Sequence, residues 1–235
     1  MTFAGSHVTL VLSPCVDASM SFDLPPVTRN LIIACVGIYL LQMVTGNVLL
    51  IHFGLWPIGQ REFLGANGQP IVVGFQIWQL VSYAFLHGGL AHLFFNMFAL
   101  FMFGGPIERL FGARNFLIYF FVCTIFAAVA QLLVVHYFTG GFYPTIGASG
   151  GIFGLLLAYG MMYPRTTIML IIPPVPMPAW LFVTGYGVLE LIFGVTGTEA
   201  GVAHFAHLGG MVGGFLLIMY WRGWLPIKPK RRLSP

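Results

Sequence analysis

The fold is decided by residues 115–164, which read NFLIYFFVCTIFAAVAQLLVVHYFTGGFYPTIGASGGIFGLLLAYGMMYP. No Asp, Glu, Lys or Arg interrupts this segment. Since about 20 apolar residues cross a bilayer as a helix, the segment is long enough for two membrane-spanning helices. Further uncharged intervals cover residues 30–60, 63–107, 166–189 and 200–221. The sequence therefore predicts an all-α, polytopic membrane protein.

The composition supports this class and excludes a water-soluble fold. Charged residues make up 7% and hydrophobic residues 58% of the 235 positions, whereas a soluble domain has about 25% charged residues. The formal charge of +4 resembles a nucleic-acid signal, but nine of the ten basic residues lie in segments predicted on one side of the membrane, and only Arg61 lies on the other. This is the positive-inside bias of membrane proteins, so no nucleic-acid partner is expected.

Six hydrophobic segments are separated by Gly, Pro or charged residues. They cover residues 30–50, 90–106, 115–138, 146–163, 178–193 and 201–221. Basic residues before the first and after the last segment place both termini in the cytoplasm, which requires an even number of crossings. We therefore predict a six-helix transmembrane domain over residues 29–222. It lies between a short cytoplasmic N-terminal tail, residues 1–28, and a basic cytoplasmic C-terminal tail, residues 223–235.

Two connections between these segments have distinctive composition. Residues 51–89 are long for a helical bundle and rich in aromatic side chains, which predicts a segment lying in the outer membrane interface. Residues 173–178 contain four prolines, which favour an extended connector over a helix.

Polar groups within the hydrophobic segments are few, and each is by default a functional candidate. Ser149 lies in the run GASG, residues 147–150, at the start of the fourth segment. Taken alone, a serine in a glycine-rich membrane helix is more often a packing residue. His207 lies in AHLGG, residues 206–210, near the start of the sixth segment. A lone membrane histidine is as readily a hydrogen-bonded structural group.

The predicted directions of the helices bring these residues to one depth. The second, fourth and sixth segments run inward from the outer face, and each carries polar residues within its first several positions. At 1.5 Å per residue these lie roughly 5–10 Å below the outer surface. Small residues four apart in the fourth and sixth segments predict close packing of the two helices. These small residues are Gly150, Gly154, Ala158, Ala206, Gly210 and Gly214.

A serine hydroxyl and an imidazole at one depth are the minimum machinery for acyl transfer, because the hydroxyl needs a base to remove its proton. The reaction also needs donors for the oxyanion. His92 and Asn96 are spaced i, i+4 on one helix face and could supply them. Glu199 falls in an outer loop and Glu190 has no matching motif. We therefore predict a Ser149–His207 dyad in which packing holds the histidine ring.

Five runs of this sequence, in this order, resemble the rhomboid intramembrane proteases. They are HLFFN (92–96), GG (104–105), ERLFG (108–112), GASG (147–150) and AHLGG (206–210). The resemblance implies six helices around a water-filled cavity, with Ser149 as nucleophile, His207 as base, and His92 and Asn96 at the oxyanion.

The resemblance also implies supporting roles for three further residues. Phe153 is expected to pack its ring on the catalytic histidine. Glu108 and Arg109 are expected to brace the loop after the second helix.

The expected function is an intramembrane serine endopeptidase that cuts single-span membrane proteins. It is expected in a bacterial inner membrane, with its site near the outer face. Two alternatives stay open: an inactive rhomboid-like protein that binds membrane proteins, and a small-solute transporter. A metal site at His204 and His207 is disfavoured, since neither an HExxH motif nor a carboxylate ligand accompanies them. No cofactor or metal is expected, and the natural substrate and oligomeric state are left open.

Overall fold

The computed structural model describes residues 24–65, 68–170, 174–197 and 203–227. Most of the two predicted tails, and Glu199, lie outside the described residues. In chain order the elements are helices α1 (Pro26–Thr45) and α2 (Val48–Phe53), strands β1 (Gln60–Leu64) and β2 (Pro70–Gly74), helices α3 (Gln79–Ser82), α4 (Leu90–Ala99), α5 (Gly105–Phe111), α6 (Ala113–Val134) and α7 (Ser149–Met162), strands β3 (Thr167–Met169) and β4 (Pro176–Pro178), and helices α8 (Ala179–Thr196) and α9 (His204–Arg222).

A helix lies at each of the six predicted hydrophobic segments. Two of them continue through π-helical turns: residues Leu100–Gly104 join α4 to α5, and Val135–Thr139 extend α6. In the part of the chain that the structure describes, four helices are long and apolar enough to cross a membrane, namely Pro26–Thr45, Leu90–Phe111, Ala113–Thr139 and Ala179–Thr196. The chain is therefore a polytopic, all-α integral membrane protein, and the count of six crossings stays a prediction.

Helix α7 is shorter than its predicted segment, residues 146–163. It has 14 residues, which gives a length of about 21 Å, less than the roughly 30 Å of a bilayer core. The helix begins at Ser149 itself, and the residues before it form a non-helical segment. In that segment Thr145 pairs with Leu55 in an antiparallel bridge. Its first turn packs against the neighbouring helices, since a Cβ on Gly150 would collide with Ala127 of α6 and a Cβ on Gly210 of α9 would collide with Gly150.

Helices α6, α7 and α9 form the centre of the bundle, and small residues bring them together. A side chain at Gly210 of α9 would collide with the backbone carbonyl of Gly150 on α7. A side chain at Gly154 of α7 would collide with Cys123 of α6. This is the close packing that the spacing of small residues predicts. Helices α1 and α8 lie at the periphery and expose apolar side chains such as Val44 of α1, as expected for surfaces that face lipid.

The long first connection is more structured than its composition predicts. It contains α2, the antiparallel β1–β2 hairpin and α3, with Gln60 opposite Gly74 in the hairpin. Trp56 packs against Phe142, with ring centroids 5.8 Å apart, and the Arg61 guanidinium lies 4.8 Å from the Phe142 centroid. These contacts and the Leu55 bridge fix the segment that leads into α7, and so help to place Ser149.

The proline-rich connector is extended in its described part. Strands β3 and β4 pair antiparallel, with Thr167 opposite Pro178. Residues 171–173, which include the first of the four prolines, lie outside the described residues.

Candidate active site

Ser149 is the first residue of α7, and a glycine two positions earlier shapes its surroundings. Gly147 has a φ of +121°, a conformation that L side chains rarely adopt. A Cβ there would lie 2.7 Å from His92 Nε2. Glycine at this position therefore allows the imidazole of α4 to approach the start of α7, next to the serine.

The structure brings Ser149 and His207 into hydrogen-bond contact. His207 lies in the first turn of α9, and its Nε2 is 2.8 Å from Ser149 Oγ. The close approach of Gly150 and Gly210, each near one of the two residues, makes this contact possible. Phe153, one turn after Ser149, stacks on the His207 ring with centroids 4.1 Å apart and planes 7° apart. The phenyl ring lies flat against the imidazole and restricts its rotation.

The second ring nitrogen of His207 meets a carboxylate that sequence reasoning missed. His207 Nδ1 lies 2.9 Å from Glu190 Oε2, and His204 Nδ1 lies 2.7 Å from the same oxygen. All three side chains are buried. The expectation that packing alone holds the His207 ring is therefore wrong. A lone carboxylate in an uncharged membrane segment was the available signal, but its partners lie on another helix.

His92 and Asn96 line the same cavity as Ser149 and His207. The cavity has a volume of about 570 Å³, large enough for water and a short stretch of extended peptide. The Gly88 N–H donates to His92 Nδ1 at 3.3 Å, and Asn96 Nδ2 donates to the His92 carbonyl at 2.8 Å. Four polar side chains from α4, α7 and α9 thus converge on one cavity.

The match to a known family covers the whole of this constellation. The family model for the rhomboid domain matches residues 74–223, well over half of the chain. This chain belongs to the rhomboid family.

Curated relatives agree with this assignment. The chain is 28% identical over 200 residues to the rhomboid protease GlpG of Yersinia pestis (strain Pestoides F). It is also 28% identical over 207 residues to the rhomboid protease GlpG of Serratia proteamaculans (strain 568). Each alignment covers 83% of this chain and 62% of the relative, so the chain spans less than two thirds of the length of these relatives.

Glu108 contacts a different part of this rhomboid from the loop expected. Its buried carboxylate accepts hydrogen bonds from Val27 N at 2.9 Å, from Thr28 N at 2.7 Å and from Thr28 Oγ1 at 2.7 Å. It therefore holds the first turn of α1, where the free N–H groups of a helix start attract an anion. The contact expected from the sequence was with the loop after the second span. Arg109, the next residue, is exposed, and the bracing role expected for it stays a prediction.

His87 is a further histidine beside the cavity. It lies in the loop before α4, is buried, and its ring is edge-on to His92 with centroids 5.2 Å apart. Among the described residues, neither of its ring nitrogens reaches a hydrogen-bond partner. Burial, and secondly the neighbouring His92, lower the pKa of His87 to about 4. The ring is therefore neutral at physiological pH.

A carboxylate does accompany His204 and His207, contrary to the prediction from the sequence. With Glu190 they form the group of side chains, among the described residues, whose ligand atoms lie within 4.8 Å of one another and could hold a metal ion. The contacts of 2.7 and 2.9 Å within this group have the length of charge-assisted hydrogen bonds. The two imidazoles and the carboxylate oxygen of this group thus hydrogen-bond to each other.

Proposed function

We propose that this rhomboid is an intramembrane serine endopeptidase, with Ser149 as its nucleophile and His207 as its general base. The observation that carries the proposal is the 2.8 Å contact between Ser149 Oγ and His207 Nε2 at a cavity of about 570 Å³. The name of its GlpG relatives, rhomboid protease, supports the same activity. We propose that this cavity admits both the substrate backbone and the water that hydrolysis consumes.

The first step forms an acyl-enzyme. Ser149 Oγ bonds to the carbonyl carbon of the substrate while its proton passes to His207 Nε2. The C–N bond of the tetrahedral intermediate then breaks, and the imidazolium returns that proton to the departing amine. In the second step, a water molecule gives a proton to His207 Nε2 and its oxygen attacks the acyl carbon. The Ser149 Oγ–carbon bond breaks, and the serine regains a proton.

Three donors are proposed to stabilise the oxyanion. Because the Gly88 N–H donates to His92 Nδ1, the ring proton of His92 is on Nε2, the atom next to Gly147. The Asn96 amide has two N–H groups and uses one on the His92 carbonyl, so the other is left for the oxyanion. The Ser149 N–H is the third donor, since the first N–H groups of a helix have no partner within it.

The proposed substrates are single-span membrane proteins in a bacterial inner membrane. Nine basic residues predict that both termini are cytoplasmic, which puts the start of α7 near the outer face. The substrate helix must unwind locally, because an intact helix uses its amides in internal hydrogen bonds. Helix-breaking residues near the outer end of the substrate are therefore proposed to favour cleavage.

The proposal is tested with purified protein in proteoliposomes and a single-span reporter that carries Gly and Pro near its outer end. We expect the wild-type protein to cut this reporter, and to cut a version with Leu at those positions at least about tenfold more slowly. The Ser149→Ala and His207→Ala variants should not cut either reporter. Cleavage by Ser149→Ala, or no cleavage of the Gly-Pro reporter by the wild type, contradicts the proposal. Absence of cleavage by the wild type favours the alternative of an inactive binding protein.

A further inference from the structure

The strongest feature that the Ser149–His207 pair does not use is the carboxylate of Glu190. Helix α8 buries three residues, Ala179, Val183 and Glu190, and presents most of its other side chains to the lipid. Glu190 is therefore turned toward α9, and a single oxygen, Oε2, contacts both His204 Nδ1 and His207 Nδ1. A charged group buried in a membrane helix costs free energy unless it is paired, so this arrangement calls for a role.

The chemistry of the three groups fixes where the ring protons are. An ionised carboxylate can only accept hydrogen bonds, so each histidine donates a proton from Nδ1 to Glu190. A neutral imidazole has one ring proton, so Nε2 of His207 carries the lone pair. That atom is 2.8 Å from Ser149 Oγ. The opposite tautomer has its proton on Nε2 and cannot accept the proton of the serine.

The carboxylate has a second effect once the proton has moved. His207 becomes a cation when it takes the serine proton, and Glu190 lies 2.9 Å from its far nitrogen. Because both side chains are buried, an opposite charge at that distance stabilises the cation and hence the transition state that leads to it. His204 is on the same face of α9, three residues earlier, and its hydrogen bond holds the carboxylate in position.

We propose that Glu190 is a positioning residue for His207, and that His204 orients Glu190. The site thus acts as a Ser149–His207–Glu190 chain supported by His204, rather than as a dyad held by packing. This inference rests on the proposed function, because it assigns Glu190 a role in the same proton transfer.

The test measures the reaction of the purified protein with a fluorescent fluorophosphonate. Ser149 Oγ bonds to phosphorus, the P–F bond breaks with loss of fluoride, and the serine proton passes to His207 Nε2. Saturation kinetics separate the binding constant of the probe, KI, from the rate of bond formation, kinact. A positioning residue acts on kinact and leaves KI nearly unchanged.

We expect Glu190→Gln to lower kinact by at least about tenfold and by at most about 10⁴-fold, the loss seen when the orienting carboxylate of a soluble serine protease is neutralised. KI should stay within about threefold. His204→Ala should lower kinact by about tenfold or more, as is typical of groups that orient a functional side chain. His204→Gln, which keeps an N–H donor, should recover most of that loss. Glu62→Gln is the control, since it removes an exposed carboxylate from β1.

The outcomes separate this inference from the proposed function. Absence of any fluorophosphonate reaction in the wild type contradicts the proposed function itself. A wild type that reacts at Ser149, together with a Glu190→Gln variant whose kinact falls by less than about tenfold, overturns the role of Glu190 alone. The inference is also overturned if kinact per folded molecule is unchanged and labelling falls only as folded protein is lost. If Glu190→Gln does not fold, the comparison of His204→Ala with His204→Gln decides: equal rates in the two variants overturn the inference.

Discussion

Replacing Gly210 with alanine should separate Ser149 from His207 without removing either side chain. A Cβ on Gly210 collides with the carbonyl oxygen and carbon of Gly150, the residue that follows Ser149. Both obstacles are backbone atoms, so no side chain can rotate to make room. Helices α7 and α9 have to move apart instead.

The size of the effect follows from the geometry. To restore van der Waals distances in a close-packed interface, the two backbones must separate by about 1 Å. The 2.8 Å contact between Ser149 Oγ and His207 Nε2 then exceeds hydrogen-bond length. A misplacement of about 1 Å at a reacting centre costs about 100-fold in rate. Overpacking of this kind also lowers the free energy of unfolding by about 1–3 kcal/mol.

The assay compares Gly210→Ala with Gly185→Ala. Gly185 lies on α8, and a Cβ there meets nothing within 4 Å, so this control should react with fluorophosphonate within about twofold of the wild-type rate. The free energy of unfolding, measured by titration with SDS in mixed micelles, shows how much of each variant is folded. If folded Gly210→Ala protein reacts as fast as the wild type, the α7–α9 contact does not set the distance between Ser149 and His207.

Three further predictions concern the surroundings of the site. Glu108→Gln should lower the free energy of unfolding by about 2–4 kcal/mol, because the amide cannot accept all the bonds from the first turn of α1; an unchanged SDS titration contradicts this. Phe153→Tyr should keep the fluorophosphonate rate within about threefold, whereas Phe153→Leu should lower it by about threefold to tenfold, since a stacked ring contributes about 0.5–1.5 kcal/mol; equal rates count against a role for the stacked ring. The pKa of His87 is lowered by burial to about 4 from its usual 6.5, so the unfolded chain binds more protons between these values. The free energy of unfolding should then be highest above pH 6.5 and fall by about 3 kcal/mol toward pH 4. The fall should be smaller in His87→Gln, and identical pH profiles of the wild type and this variant contradict the prediction.

The meeting of Ser149 and His207 was within reach of the sequence. Helix direction follows from the placement of basic residues, and glycines four apart mark the helix faces that approach each other. Both are local patterns, readable without knowledge of the fold. Together they predict a hydroxyl and an imidazole on facing surfaces at similar depth, and in the structure the two groups are in contact.

The contacts of Glu190 could not be predicted from the sequence in the same way. Its two partners follow it by 14 and 17 residues, on a different helix, and only the packing angle of α8 against α9 decides whether the side chains meet. The sequence indicates a carboxylate in a membrane segment, which is a functional signal. It does not indicate which group the carboxylate contacts.

The β1–β2 hairpin and the late start of α7 were missed for related reasons. The dipeptide Asn67-Gly68 is a hairpin signal, but the aromatic residues around it predict an interfacial segment equally well. The non-helical segment before Ser149 includes a bridge between Thr145 and Leu55, a pairing of residues far apart in sequence that no local pattern encodes.

Locating the fluorophosphonate adduct by peptide mass spectrometry tests whether the His207 imidazole activates the Ser149 hydroxyl. In the wild-type protein we predict one modified residue, Ser149, and in His207→Ala we predict no adduct over the same time. An adduct on another residue contradicts the role of Ser149 as nucleophile, and full modification of Ser149 in His207→Ala contradicts the role of His207 as base.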